Sequence, residues 1–338
     1  MAASASARPL PPTAVLNPAT RLLWRTHDSV QLELGGHRIV IDGVGQAGVR
    51  QLIGRRDAAD ERPVDAETIA LLAEHGFVWT APIGDDDPRR VPARPRLAGE
   101  LVALAARHGD SAAELLSARG QATVAIEGPG RISALLATVL AAAGVGSLRV
   151  AERGAARLGH ALPGGTDRAD EGVPLLAAIG RAVARVAPDV HTAAPTYGDR
   201  PDLTVLLMDE PVDSERRAAL HATETVHLVI RLDADRAVIG PLVIPGLTSC
   251  LRCADLHRVD RDPAWDALAV QLSQPHRGAG AAEVATAVTA AGVAAAEILR
   301  YLDGDQPATV EGTLEVLSPD WRVRRRSWPA HPDCECMR

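Results

Sequence analysis

The sequence predicts an α/β protein: a doubly wound, Rossmann-like domain with a four-cysteine zinc site, preceded by a small winged-helix-like α+β domain. Three observations lead there. A strand, a glycine turn, an apolar helix and a second strand follow one another through residues 123–150. The four cysteines of the 338-residue chain form two tight pairs, Cys250 with Cys253 and Cys334 with Cys336. Strands, two helices and a closing strand fill residues 21–79.

Residues 1–12 are small, proline-rich and polar, which predicts disorder. Residues 30–34 alternate apolar and polar, Gly35-Gly36 supplies a positive-φ turn, and residues 37–41 return as a β-hairpin, with residues 21–25 as a third strand. Residues 46–53 read as a helix; a second, capped by Asp65, runs to His75 and stops at Gly76 before a short strand over 77–79. These elements place a winged-helix-like domain at 13–80. The proline-rich, charge-mixed stretch 81–97 reads as a linker, and 98–338 as the second domain.

In that domain two helices, 97–107 and 111–119, precede the strand 123–126, the turn Gly128-Pro129-Gly130, the helix 132–143 and the strand ending at Val150. Pro129 removes a main-chain N–H that a phosphate would use, and Ser133 stands where a third glycine is expected. The acid expected to meet a ribose falls to Glu152. Residues 202–208 read as a buried parallel strand leading to Asp209, and 227–231 as another, their carboxyl ends facing one crevice. Residues 238–246 lead by a hairpin to the first cysteine pair, an alanine-rich helix covers 282–302, and strands at 313–316 and 321–326 return the chain to the second pair.

Two thiolates spaced C-x-x-C can grip one ion, and a second pair arriving from the tail completes the tetrahedral shell of a structural zinc site. Two disulfides are the alternative, disfavoured because C-x-C is too short to pair easily within itself and no signal peptide points to an oxidising compartment. With all four thiolates on metal, none is left as a nucleophile.

Composition removes further chemistry. All 36 basic residues are arginine, so Schiff-base chemistry, a P-loop lysine and a lysine general base are impossible. A formal charge of −7, and an excess of nine acids over seven arginines between residues 14 and 80, argue against a nucleic-acid surface and a DNA-binding regulator. Aromatic residues make up 2%, with Phe77 the one phenylalanine, so the core is expected to be Ala, Val and Leu with closely packed helices. No apolar run is expected to be long enough to span a bilayer, which leaves a cytoplasmic protein.

The stretches A-I-E-G-P-G-R-I-S, G-P-L-V-I-P-G-L-T-S-C-L-R-C-A-D-L-H, A-A-G-V-A-A-A-E-I-L-R-Y-L-D-G and the terminal C-E-C together resemble the ThiF/MoeB/HesA (ubiquitin-activating-enzyme-like) superfamily over residues 98–338. The resemblance is closest to the divergent ThiF-like leader-peptide-binding proteins of thiazole/oxazole-modified microcin synthesis. It implies a homodimer with structural zinc on Cys250, Cys253, Cys334 and Cys336. It also implies a noncatalytic role: binding a precursor peptide through the N-terminal domain, a peptide recognition element, and presenting it to a YcaO-type partner enzyme. Arg38, Val40, Glu67 and Leu71 are the candidate peptide contacts.

Active superfamily members are adenylyltransferases that use Mg-ATP with an arginine, a lysine and an aspartate on the C-terminus of a ubiquitin-like or peptide substrate. The matching positions here are Gly128, Gly130, Arg131, Glu152 and Asp209, read as a vestigial ATP site because no lysine exists to complete it. Asp255, His257, Asp260 and Asp262 are expected to cap a helix and pair with Arg258 and Arg261 rather than act in acid–base catalysis or hold a second metal. Arg322, Arg324, Arg325 and Arg326 are expected to be exposed strand charges rather than a binding patch.

Overall fold

The computed structural model describes residues 14–53, 64–79, 95–128, 131–151, 154–208, 212–272 and 282–337. The expectations for residues 1–12 and for most of the linker 81–97 lie outside these. The chain divides into two compact units, Met1–Ser117 and Ala118–Arg338.

In the first unit, β1 (Val15–Leu16) pairs with β5 (Val78–Trp79), and β2 (Arg21–Trp24), β3 (Ser29–Leu34) and β4 (His37–Asp42) form an antiparallel sheet with β3 central. Val30, Leu32 and Leu34 are buried while Gln31 and Glu33 between them are not, the period-two pattern of a sheet with one wet face. Helices α1 (Gln46–Leu52) and α2 (Ala66–Glu74) send Leu52 and Leu72 into that core beside Phe77. Asp65 caps α2, its carboxylate accepting the Thr68 N–H at 2.8 Å. Asn17, the chain's one asparagine, is buried: its amide donates to the carbonyls of Ala105 (2.7 Å) and Gly76 (3.2 Å) and accepts from the Ala19 N–H (3.0 Å). Ala105 lies on α3 (Ala98–His108), whose Leu101 and Leu104 pack with Trp79. Helix α4 (Ala112–Gln121) carries the chain into the second unit.

That unit is built on one eight-stranded mixed sheet. In chain order its elements are β6 (Thr123–Glu127), α5 (Ser133–Ala142), β7 (Ser147–Ala151), α6 (Leu175–Val186), β8 (His191–Ala193), β9 (Leu203–Leu207), α7 (Ser214–Ala222), β10 (His227–Asp233), β11 (Arg236–Val243), α8 (Leu251–Arg261), α9 (Trp265–Leu272), α10 (Val284–Leu302), β12 (Gly312–Leu317) and β13 (Arg322–Ser327). Strand order is β13-β12-β11-β10-β9-β6-β7-β8; β8 through β10 are parallel and the remaining three pairings antiparallel. Every residue of β9 is buried, as a central parallel strand requires. The order reverses at β6, so the carboxyl ends of β6 and β9 flank a topological switch point, the place where doubly wound sheets open a ligand crevice.

The core is aliphatic and alanine-rich, as expected. Ala287, Ala290, Ala291, Ala294 and Ala295 form a stripe on α10 that lets it approach α5 and the sheet closely. By length and hydropathy α10 is apolar enough to cross a membrane, which corrects the expectation that no segment would be; 44% of its apolar window is buried inside the fold. The hairpin before the first cysteine pair is formed by β10 and β11, turning between Asp233 and Arg236, so it begins earlier than the apolar run from Val238 suggests. Buried Arg119 donates through its Nε and Nη2 to the two carboxylate oxygens of Asp303, both at 2.7 Å, and through Nη1 to the Ala143 carbonyl at 3.1 Å. Three helix ends, those of α4, α5 and α10, meet at this clamp.

Candidate functional site

The cysteines meet as the spacing predicts. Cys250 caps the start of α8 and Cys253 lies in its first turn, while Cys334 and Cys336 arrive from the tail. Their Sγ atoms stand 3.9 Å (Cys250–Cys253), 3.6 Å (Cys250–Cys334) and 3.4 Å (Cys253–Cys336) apart, and no disulfide joins them. A tetrahedron with Zn–S bonds of about 2.3 Å has edges of about 3.8 Å, so this constellation fits one ion. Burial pushes the Cys250 thiol up to about 11 and raises Cys336 as well, the state of thiols that wait for a cation to become thiolates.

One face of α8 organises the centre. Cys250, Cys253, His257 and Asp260 fall at i, i+3, i+7 and i+10, and all four meet the tail. The His257 Nε2 donates to the Pro329 carbonyl at 2.9 Å, and the His331 Nε2 donates to Asp260 at 2.9 Å. Buried Trp328 is held by its indole N–H on Thr313 (3.1 Å), while Ser249 donates to its carbonyl (2.6 Å). Arg258 and Arg261 stack on Trp328 at 4.9 and 5.1 Å.

The polar residues after the first cysteine pair therefore have separate tasks. Asp255 bonds Arg217 and Arg258, Asp262 accepts the Ala264 N–H, and His257 and Asp260 latch the tail. Arg261 reaches Trp328 rather than the expected carboxylate. His257, Asp260 and His331 come within 4.8 Å of one another, near enough to suggest a second metal. Tautomers oppose it: the Nδ1 of His331 accepts the Asp333 N–H at 3.1 Å, so its Nε2 carries the proton given to Asp260 and offers no lone pair.

At the switch point, Gly128 follows β6 with φ +98°, and a Cβ there would lie 2.1 Å from the Leu207 carbonyl oxygen, so no other residue fits. Ser133, in the third glycine position, is buried at the start of α5. Arg131 donates through a terminal nitrogen to the Ala282 carbonyl, and its Nε is buried with no hydrogen-bond partner among the described residues. Glu127 accepts from Arg216 of α7. Gly130, Glu152 and Asp209 lie outside the described residues.

In the first unit, Arg38 and exposed Val40 share the outward face of β4, which is an edge strand among the described residues. Glu67 and exposed Leu71 lie one turn apart on α2. On β13, Arg322 pairs with Asp320 (2.6 Å), Arg326 with Glu315 (2.6 Å), and Arg325 donates to the Ala308 carbonyl (2.8 Å), so most of the arginine run is internally engaged.

The fold, a doubly wound sheet with a switch point and a four-cysteine cluster at the start of α8, is shared with solved structures of ThiF/MoeB-like proteins. The chain matches Escherichia coli MccB with MccA-N7isoASN at a TM-score of 0.70 and 14% identity, over 96% of this chain and 99% of that one. It matches the same protein with ATP at 0.68 and 14%, over 96% and 99%, and PaaA at 0.63 and 15%, over 92% and 99%. No family model and no curated protein matches it by sequence.

Proposed function

We propose that this protein is a noncatalytic scaffold of the ThiF/MoeB type, stapled by zinc on its four cysteines, that binds a peptide through its N-terminal unit. It presents that peptide to a separate modifying enzyme, a YcaO-type cyclodehydratase. The carrying observation is the chemistry left at the switch point: the chain has no lysine, and Arg131, at the crevice, spends its guanidinium on the Ala282 carbonyl. In-line activation of a carboxylate by ATP needs cations placed on the phosphates, and these are missing or engaged.

The zinc staple fixes the tail to α8, and α10 supports the sheet, while the working surface is the edge of β4. An edge strand offers unpaired N–H and C=O groups, and a peptide that adds there gains main-chain hydrogen bonds, with Val40 and Leu71 as apolar contacts and Arg38 and Glu67 as polar ones. The solved complex of MccB with N-formylated MccA supports a peptide partner for this fold. A homodimer and a winged-helix character for the first unit belong to the same proposal.

One observation favours a second reading, an adenylyltransferase: the buried, unpartnered Nε of Arg131 is a donor that a phosphate oxygen would satisfy. Fluorescence anisotropy with a labelled precursor peptide of the modified-microcin type, run with and without Mg-ATP, separates the two. The scaffold binds the peptide at micromolar concentration regardless of nucleotide and loses it in Val40→Asp and Leu71→Asp. Binding that requires Mg-ATP, or that survives both substitutions, rejects the scaffold.

A further inference from the structure

A cavity lies away from the switch point, at the opposite end of β10, against the outer side of the cysteine cluster. It encloses about 280 Å³ between one face of α7 (Arg217, Ala218, His221), the start of β10 at His227, the loop into α8, and the tail at Cys334–Cys336. Three of the four cysteines, Cys250, Cys334 and Cys336, contribute to its wall.

His227 sets its chemistry. The residue is 4% exposed, and its Nδ1 donates to the Thr225 carbonyl at 2.8 Å, an atom that can only accept. The ring's proton is therefore on Nδ1, and Nε2 holds a lone pair. Burial lowers the His227 pKa, so the imidazole stays neutral near pH 7. His227 lines the cavity, and Nε2 is the ring atom left to accept an N–H or O–H from whatever fills it.

Charge narrows the occupant further. Arg252 at the wall disfavours a cation, Arg217 beside it being paired with Asp255, whereas Glu335 disfavours an anion. Val243, Pro245 and Leu251 provide apolar walls, and guanidinium groups beside an apolar cavity favour the face of an aromatic ring.

We propose that this cavity binds a neutral aromatic ring carrying one N–H or O–H donor, which hydrogen-bonds to the Nε2 of His227. The ring arrives either as a free small molecule or as the side chain of a bound segment. Neither the β4 edge nor the switch point takes part, so the inference stands apart from the scaffold reading.

Calorimetric titration of the full-length, zinc-loaded protein with indole tests it, with benzofuran as the isostere that lacks the donor. Indole should saturate one site, benzofuran should bind about tenfold or more weakly, and His227→Phe should erase the difference between them. Ala218→Trp, which fills the cavity from α7, should abolish binding while leaving the melting temperature within a few degrees. With cobalt(II) in the cysteine site, indole should perturb the sulfur-to-cobalt absorption, because three of those cysteines wall the cavity. If that absorption never forms, the metal reading fails while the calorimetry still decides the cavity. N-acetyl-tryptophanamide separates the two sources: binding at least as tight as that of indole assigns a side chain, and weaker binding a free molecule. Equal affinity for indole and benzofuran, no saturable binding, or undiminished binding in Ala218→Trp would overturn the proposal.

Discussion

Replacing Arg119 by methionine should cost this protein about 3–5 kcal/mol, because it leaves the Asp303 carboxylate charged and dry. The two side chains are 1% and 0% exposed, the guanidinium makes two bonds of 2.7 Å to the carboxylate, and a third of 3.1 Å goes to the Ala143 carbonyl. Solvent therefore cannot take over either charge. For a unit of this size about 2–4 °C is lost per kcal/mol, so the melting temperature should fall by about 6–20 °C. Urea unfolding of the single and double variants forms the assay. Arg119→Met with Asp303→Leu removes both charges together and should recover most of the loss, since an apolar pair of similar volume replaces a buried ion pair at little cost. A loss below about 1 kcal/mol in Arg119→Met, or a double variant as weak as the sum of the singles, would refute the reasoning.

Serine at any one of Cys250, Cys253, Cys334 or Cys336 should drop bound zinc, measured by elemental analysis, well below one equivalent, and should raise the susceptibility of the tail to proteolysis. Because burial raises the Cys250 thiol to about 11, zinc must displace its proton; affinity should therefore weaken as pH falls from 8 to 6, with protons released on binding in calorimetry. Independence of pH would count against thiol ligation. Gly128→Ala should destabilise by more than about 3 kcal/mol through positive φ and collision with the Leu207 carbonyl, read as lost soluble yield; wild-type melting would contradict the turn geometry. His227 is held neutral by burial, so its native pKa lies below the unfolded value. Its contribution is complete above about pH 6.5 and is lost as pH falls toward the native value, because only the unfolded chain takes the proton. His227→Gln should flatten that acid slope in thermal melts, and an unchanged slope would remove His227 as its source.

Local chemistry made much of this legible. Gly35-Gly36 marks the β3–β4 hairpin, Asp65 and Gly76 bracket α2, and cysteine spacing foretells the four-cysteine cluster because two pairs on short turns need only one long-range encounter. Four elements of the second unit were not anticipated, the short helix α7 among them. β8 is three residues long and polar, α9 buries none of its residues, and in α6 the spacing of Leu175, Ala178, Ile179, Ala182 and Val183 is readable only if alanine is counted as apolar. Long-range polar partners leave no trace in spacing: Arg119 and Asp303 are 184 residues apart, and Arg131 finds its acceptor in a main-chain carbonyl at Ala282. The latch on the tail is an intermediate case. Cys250, Cys253, His257 and Asp260 repeat on one helical face, a pattern visible in advance, but its partners Pro329 and His331 emerge only in three dimensions.

The scaffold reading depends on whether the switch point activates a carboxylate. ATP–pyrophosphate exchange by the zinc-loaded protein, with its precursor peptide at saturation and Mg-ATP in the millimolar range, addresses this directly. The scaffold account requires exchange no faster than in a blank without protein, under conditions where the peptide is demonstrably bound; turnover that rises with protein concentration and disappears in Arg131→Ala would contradict it.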